Sequence, residues 1–112
     1  MKKRTFYFAP AYYEWHLTDE RGNLIHVMAD PAEETCHEDG TPCDYDEIKY
    51  LCDCDLECAE RAYYEGEGYN GHYLEDTLSK EEMEDAAKVM ATALYNYYCV
   101  EKEETDANSL EF

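Results

Sequence analysis

The chain has 112 residues, enough for one compact domain with a modest core and too few for two. Its 28 acidic and nine basic residues leave a net charge of −19, which argues against direct binding to nucleic acid or anionic membranes, since such binding rests on Lys and Arg neutralising phosphates. No apolar run approaches the roughly 20 residues needed to span a bilayer.

Met1 to Arg4 opens the chain with a basic cluster of the kind that begins a secretory leader. Thr5 to Trp15 contains no sustained aliphatic stretch, and Glu14 and His16 interrupt it, so no signal peptide is expected. The six cysteines are then expected as reduced thiols in a cytoplasmic protein. Thr5–Phe8 and Tyr12–Thr18 are aromatic-rich and suit a half-buried pleated surface, with Pro10 predicting a bend or an edge position between them. Asp19 to Asn23 is a turn cluster, and Leu24–Met28 follows as a strand, so Tyr12–Met28 predicts a β-hairpin.

Residues 30–43 carry Pro31, Gly40 and Pro42 and predict a loop. A helix is expected from Asp44, with Ile48, Cys52, Leu56, Ala59 and Tyr63 on one apolar stripe, a break near Cys52–Asp55, and an end at Gly66 and Gly68. Gly71–Leu74 predicts a short third strand. The last helix begins at a capping-box pair, Ser79 and Glu82, and buries Met83, Ala87, Met90, Leu94 and Tyr97. The expected architecture is α+β, an N-terminal antiparallel hairpin or three-stranded sheet packed against two helices, occupying residues 1–100 with a flexible acidic tail at 101–112.

Catalytic signatures are lacking. The only serines are Ser79 and Ser109, and no phosphate loop or nucleophile elbow occurs. Cys36 adjoins His37, which keeps a small thiol enzyme as an alternative, but acidic neighbours raise thiol pKa values and work against it. A second alternative is a zinc-stabilised interaction module, with Cys36, Cys43, Cys54 and Cys58 as ligands and His37 able to stand in for Cys36. No Cys-x-x-Cys pair supports it. Cys52 and Cys99 fit small core positions. A calcium loop starting at Asp53 fails, because Cys58 and Tyr64 stand where glycine and glutamate are required. No cofactor is expected.

The charge itself is the informative feature. Residues 30–76 hold sixteen acids against Lys49 and Arg61, a net −14, whereas residues 1–29 sum to +1. Asp44, Asp46, Glu47, Asp53, Asp55, Glu57 and Glu60 fall along the first helix, with Glu65 and Glu67 beyond, and this series is expected to meet a basic protein surface. Acids held at regular intervals can imitate the charge spacing of a nucleic-acid backbone. Tyr64 is the expected aromatic anchor, and the pairs Tyr12-Tyr13, Tyr63-Tyr64 and Tyr97-Tyr98 are each expected to send one ring inward and one outward. In size, charge and lack of catalytic motif the chain resembles small phage or mobile-element inhibitors of host defence, among them anti-CRISPR and anti-restriction proteins, some of which mimic DNA. That class is structurally varied and implies no fold. The resulting expectation is a non-enzymatic acidic inhibitor that occupies the basic groove of a nucleic-acid-binding partner.

Overall fold

The computed structural model describes residues 4–65, 73–74 and 78–100. Glu67 and the expected tail at 101–112 lie outside the described residues, as do Gly66, Gly68 and Gly71. The fold is α+β: an antiparallel meander of β1 (Phe6–Ala11), β2 (Glu14–Asp19) and β3 (Leu24–Ala29), with two helices, α1 (Tyr45–Glu65) and α2 (Lys80–Leu94). A two-residue strand, β4 (Tyr73–Leu74), pairs with Val27 and His26 on the far edge of β3, so the expected third strand is the fourth in the sheet.

Alternation sorts the sheet residues by face. Phe6 and Phe8 of β1 stand beside Asp19 and Leu17 of β2, and Trp15 and Leu17 stand beside Met28 and His26 of β3. These side chains are buried, while Tyr7 and Ala9 alternate outward. An irregularity at Leu17–Thr18 leaves Ile25 without a ladder partner, and Ile25 joins the core. Pro10 does not break the strand. It lies inside β1 opposite Trp15, on a strand paired only with β2, where a missing N–H costs no ladder bond.

The bend falls at Tyr12-Tyr13, a two-residue connection in which Tyr12 adopts φ 60°, a position usually given to glycine. Both rings are exposed, Tyr12 at 102%, so the expected inward–outward division fails because neither residue belongs to a strand. The β2–β3 turn follows its sequence signature. The Asp19 carboxylate accepts from the Arg21 and Asn23 backbone N–H groups at 2.9 and 3.0 Å, and Gly22 supplies φ 81°.

Ile48, Cys52, Leu56 and Ala59 of α1 are buried as the stripe predicts. The expected break at Cys52–Asp55 does not occur. Asp53 and Asp55 find partners, so their charge does not interrupt the ladder. Tyr63 is exposed, and Ala62 takes the inward place instead. Ser79 and Glu82 form the reciprocal capping box of α2. Ala86, Ala87, Met90, Ala91 and Leu94 then face the core, and Met83 packs partly buried against it.

From Tyr95 to Val100 the helix widens into a π turn. Each π turn takes an extra residue, so the apolar stripe slips. Tyr97 consequently turns outward, and Cys99 with part of Tyr98 turns inward. Tyr98 takes a hydrogen bond from the Trp15 indole at 3.2 Å and donates to Asp30 at 2.9 Å. Phe8 also stacks on Trp15, with ring centres 5.1 Å apart. The helices touch one another, with α2 beside β1 and α1 beside β3 and β4. Among the described residues no helix is long and apolar enough to cross a membrane.

Candidate functional site

α1 starts at a capping box made from acids. Asp44 Oδ1 accepts from the Glu47 N–H at 2.8 Å, and Glu47 Oε1 accepts from the Asp44 N–H at 3.1 Å. Asp44 and Glu47 are exposed, yet both are committed to holding the helix end. Glu47 is committed twice, because its other oxygen lies 2.7 Å from His37 Nε2. The hydrogen bonds from His37 and from the Asp44 N–H hold its carboxyl below the usual range, and the same contact raises the His37 pKa.

Asp55 departs from the expected acidic face. The helical step of about 100° per residue places it beside the buried stripe rather than opposite it. Its side chain is 8% exposed and is hydrogen-bonded to His26 of β3, itself fully buried. A carboxylate in that position links helix to sheet and offers little charge to a partner.

Four of the remaining acids of α1 share a face. Asp46, Asp53, Glu57 and Glu60 lie within roughly 60° of one another around the axis, on one flank of the helix, with Asp46 and Glu57 exposed and Asp53 and Glu60 half-buried. At about 1.5 Å rise per residue, their intervals are roughly 10, 6 and 4.5 Å. Two rings interleave with them on the same side, Tyr50 at 72% exposure and Tyr64 at 68%. Tyr50 was not singled out in the sequence, although its position four residues after Asp46 and seven before Glu57 marks it as a member of this stripe. The Cys54 thiol and the Glu57 charge beside it push its phenol above the ordinary value, so it stays neutral at physiological pH.

A groove of about 560 Å³ runs between this face and the start of α2. Asp53, Glu57 and Glu60 line one side and Glu84 the other, with Leu56 and Met83 supplying apolar surface. Lys49 reaches into this region, 3.0 Å from Asp53 and 3.1 Å from Glu84. Burial would lower its pKa, but the two carboxylates outweigh that and raise it, so it remains a fixed positive charge. It neutralises part of the stripe near Asp53, and Lys80 adds a second positive charge to the lining of the groove that Glu57 and Glu60 share. Glu65 closes α1 as its last residue.

The cysteines divide by place. All six are free thiols. Cys43, Cys52 and Cys99 are buried, and Cys52 is pushed up to about 12 by burial and the nearby Asp55 and Asp53 charges. Cys54 and Cys58 sit on α1, half-buried and exposed respectively, and do not converge with Cys43. Cys36 directs its thiol towards the carbonyls of Ala32 and Glu33 in the short 3-10 helix Ala32–Thr35. The donor group that does assemble among the described residues is His37, Cys43 and Glu47. His37 and Glu47 are ten residues apart, and only the fold of the intervening loop brings them together.

No protein-family model, curated protein or solved structure matches the chain.

Proposed function

We propose that this chain is an acidic binding protein whose α1 face occupies the basic groove of a nucleic-acid-binding partner, acting as an inhibitor or decoy rather than as an enzyme. The observation that carries the reading is the co-facial series Asp46, Asp53, Glu57 and Glu60 with Tyr50 and Tyr64 exposed among them. A helix holds these carboxylates at fixed intervals, so the complementary surface is a row of Lys and Arg rather than a single cation. Charge supplies attraction and a fast encounter. The two rings supply apolar area that can be desolvated at little entropic cost, which charge alone does not provide.

The net charge of −19 extends the same attraction to the whole molecule. A partner from host defence, such as a restriction or CRISPR effector, fits both the small size and the charge. The free thiols suit a reducing cytoplasm. The raised pKa values of Cys43 and Cys52 disfavour the thiolate that a cysteine nucleophile requires.

The test is capture of partners from host lysate on the tagged chain, followed by mass spectrometry. The recovered protein should bind nucleic acid, excess duplex DNA should displace it, and added salt should weaken it. A chain carrying Asp46→Asn, Asp53→Asn, Glu57→Gln and Glu60→Gln should keep its circular dichroism spectrum and lose the partner. Capture indifferent to salt, to DNA and to these four changes refutes the proposal.

A further inference from the structure

The loop between the 3-10 helix and α1 folds back on itself. Cys36 and Pro42 form an antiparallel bridge, the His37 N–H donates to Thr41 O at 2.7 Å, and the Gly40 N–H donates to His37 O at 2.9 Å. Gly40 turns the chain at φ 88°, in the left-handed region that glycine adopts freely. This knuckle sets His37 against the first turn of α1, beside Glu47. Cys43 lies next to them, and the ligand atoms of His37, Cys43 and Glu47 all fall within 4.8 Å of one another.

We infer that His37 Nε2, Cys43 Sγ and a Glu47 carboxylate oxygen form a zinc site. Imidazole nitrogen, thiolate sulfur and carboxylate oxygen are the donors zinc accepts, and three protein ligands plus water complete a tetrahedron. The hard oxygen-only cations are disfavoured by the sulfur and nitrogen.

The surrounding hydrogen bonds orient the imidazole for this role. The Thr41 hydroxyl donates to Asp39 Oδ1 at 2.7 Å, so its oxygen is left to accept from His37 Nδ1 at 2.9 Å. Nδ1 therefore carries the hydrogen, and Nε2 turns towards Glu47 Oε2 at 2.7 Å. At that separation a hydrogen on Nε2 donated to Glu47, or a metal ion held by both atoms, satisfies the contact. An outer partner that fixes the tautomer in this way is the usual companion of a metal-bound histidine.

Distances ask for a small adjustment. Zinc bonds of about 2.0–2.3 Å separate tetrahedral donors by roughly 3.3–3.7 Å. His37 and Glu47 must part by about half an ångström and Cys43 must close in. Both outer side chains are 45% exposed, so solvent rather than core packing surrounds them where they shift. The exposed side supplies the water. Binding displaces the Cys43 thiol proton, and with it the proton between His37 and Glu47. The site does not depend on the acidic face of α1, so the two proposals stand or fall separately.

The test uses the full chain, stripped with chelator and titrated with cobalt(II) and zinc. One equivalent of cobalt should give a thiolate-to-metal charge-transfer band and the intense visible absorption of a tetrahedral ion, and zinc should abolish both by displacement. Zinc should also raise the melting temperature. His37→Gln, at an exposed position, should remove binding with the fold intact, and Cys43→Ser should remove the charge-transfer band. Thr41→Val should weaken affinity by about 10-fold, as loss of an outer partner does. Cys54→Ser and Cys58→Ser should change nothing. The inference is overturned if the titration shows no saturable binding, if the spectrum lacks a thiolate band, if binding survives in His37→Gln, or if the band depends on Cys54 or Cys58.

Discussion

The His26–Asp55 contact joins β3 to α1 through the core, so its removal tests how helix and sheet are held together. Asp55→Leu takes away the carboxylate that meets the His26 ring while leaving that ring fully buried. Breaking a buried pair by deleting one partner costs about 3–5 kcal/mol. Because the Asp55 side chain retains 8% exposure, the expected loss sits at the lower end, about 3 kcal/mol. For a domain of this size about 4 °C accompanies each kcal/mol, so the melting temperature should fall by roughly 12 °C.

His26→Leu should cost a similar amount, because it deletes the other partner of the same buried contact. The double variant, Leu at both positions, should return to within about 1 kcal/mol of the parent, since packed apolar side chains can replace a buried polar pair. Urea unfolding followed by Trp15 fluorescence measures all four proteins, as that indole sits in the core at 3% exposure. The reasoning fails if each single change costs under about 1 kcal/mol and the two simply add, with no coupling between sites.

Three further outcomes follow from the described contacts. Ser79→Ala removes the acceptor for the Glu82 N–H and should cost about 1 kcal/mol, read as a lower urea midpoint with an unchanged slope. Burial would raise the Asp19 pKa, but the hydrogen bonds from Asn23 and Arg21 and the Arg4 charge outweigh it and lower it. Its contribution should therefore be complete above the unfolded carboxyl value of about 3.9 and fade as pH falls through the lower folded value. The stability difference between parent and Asp19→Asn should accordingly be full near pH 6 and shrink below about pH 3.5, and a difference that does not vary with pH contradicts the assignment. Alkylation of the native chain should modify exposed Cys58 early and Cys52 last, since Cys52 is buried with a thiol near 12, and mass spectrometry of timed samples gives the order.

Local rules were visible in the sequence and contacts across the fold were not. The Ser79–Glu82 box, the Ile48–Ala59 stripe and the Asp19–Asn23 turn each depend on residues within one element, where spacing and side-chain chemistry decide the outcome. The π turn at Tyr95–Val100 has no spacing signal, and it reverses the expected places of Tyr97 and its neighbours. Asp55 looked like one more acid on a charged helix until His26, 29 residues earlier, took it inward. The acidic stripe was half legible. Asp46, Asp53, Glu57 and Glu60 could be counted, and the three-residue spacing of Asp44 and Glu47 is the same capping signature as that of Ser79 and Glu82, read at α2 and passed over at α1, where the hydrogen bonds display it. The His37–Cys43–Glu47 grouping depends on a loop reversal that Gly40 permits but does not specify.

The hairpin tip illustrates how a fold can carry a side chain it does not use. Tyr12 sits in a backbone region that costs an ordinary residue about 1–2 kcal/mol, and its ring rests entirely in water. Glycine there would ease the backbone and surrender no packing. The molecule therefore holds a reserve of unclaimed stability at the β1–β2 reversal, and tightening it needs subtraction of an aromatic ring rather than addition of a contact.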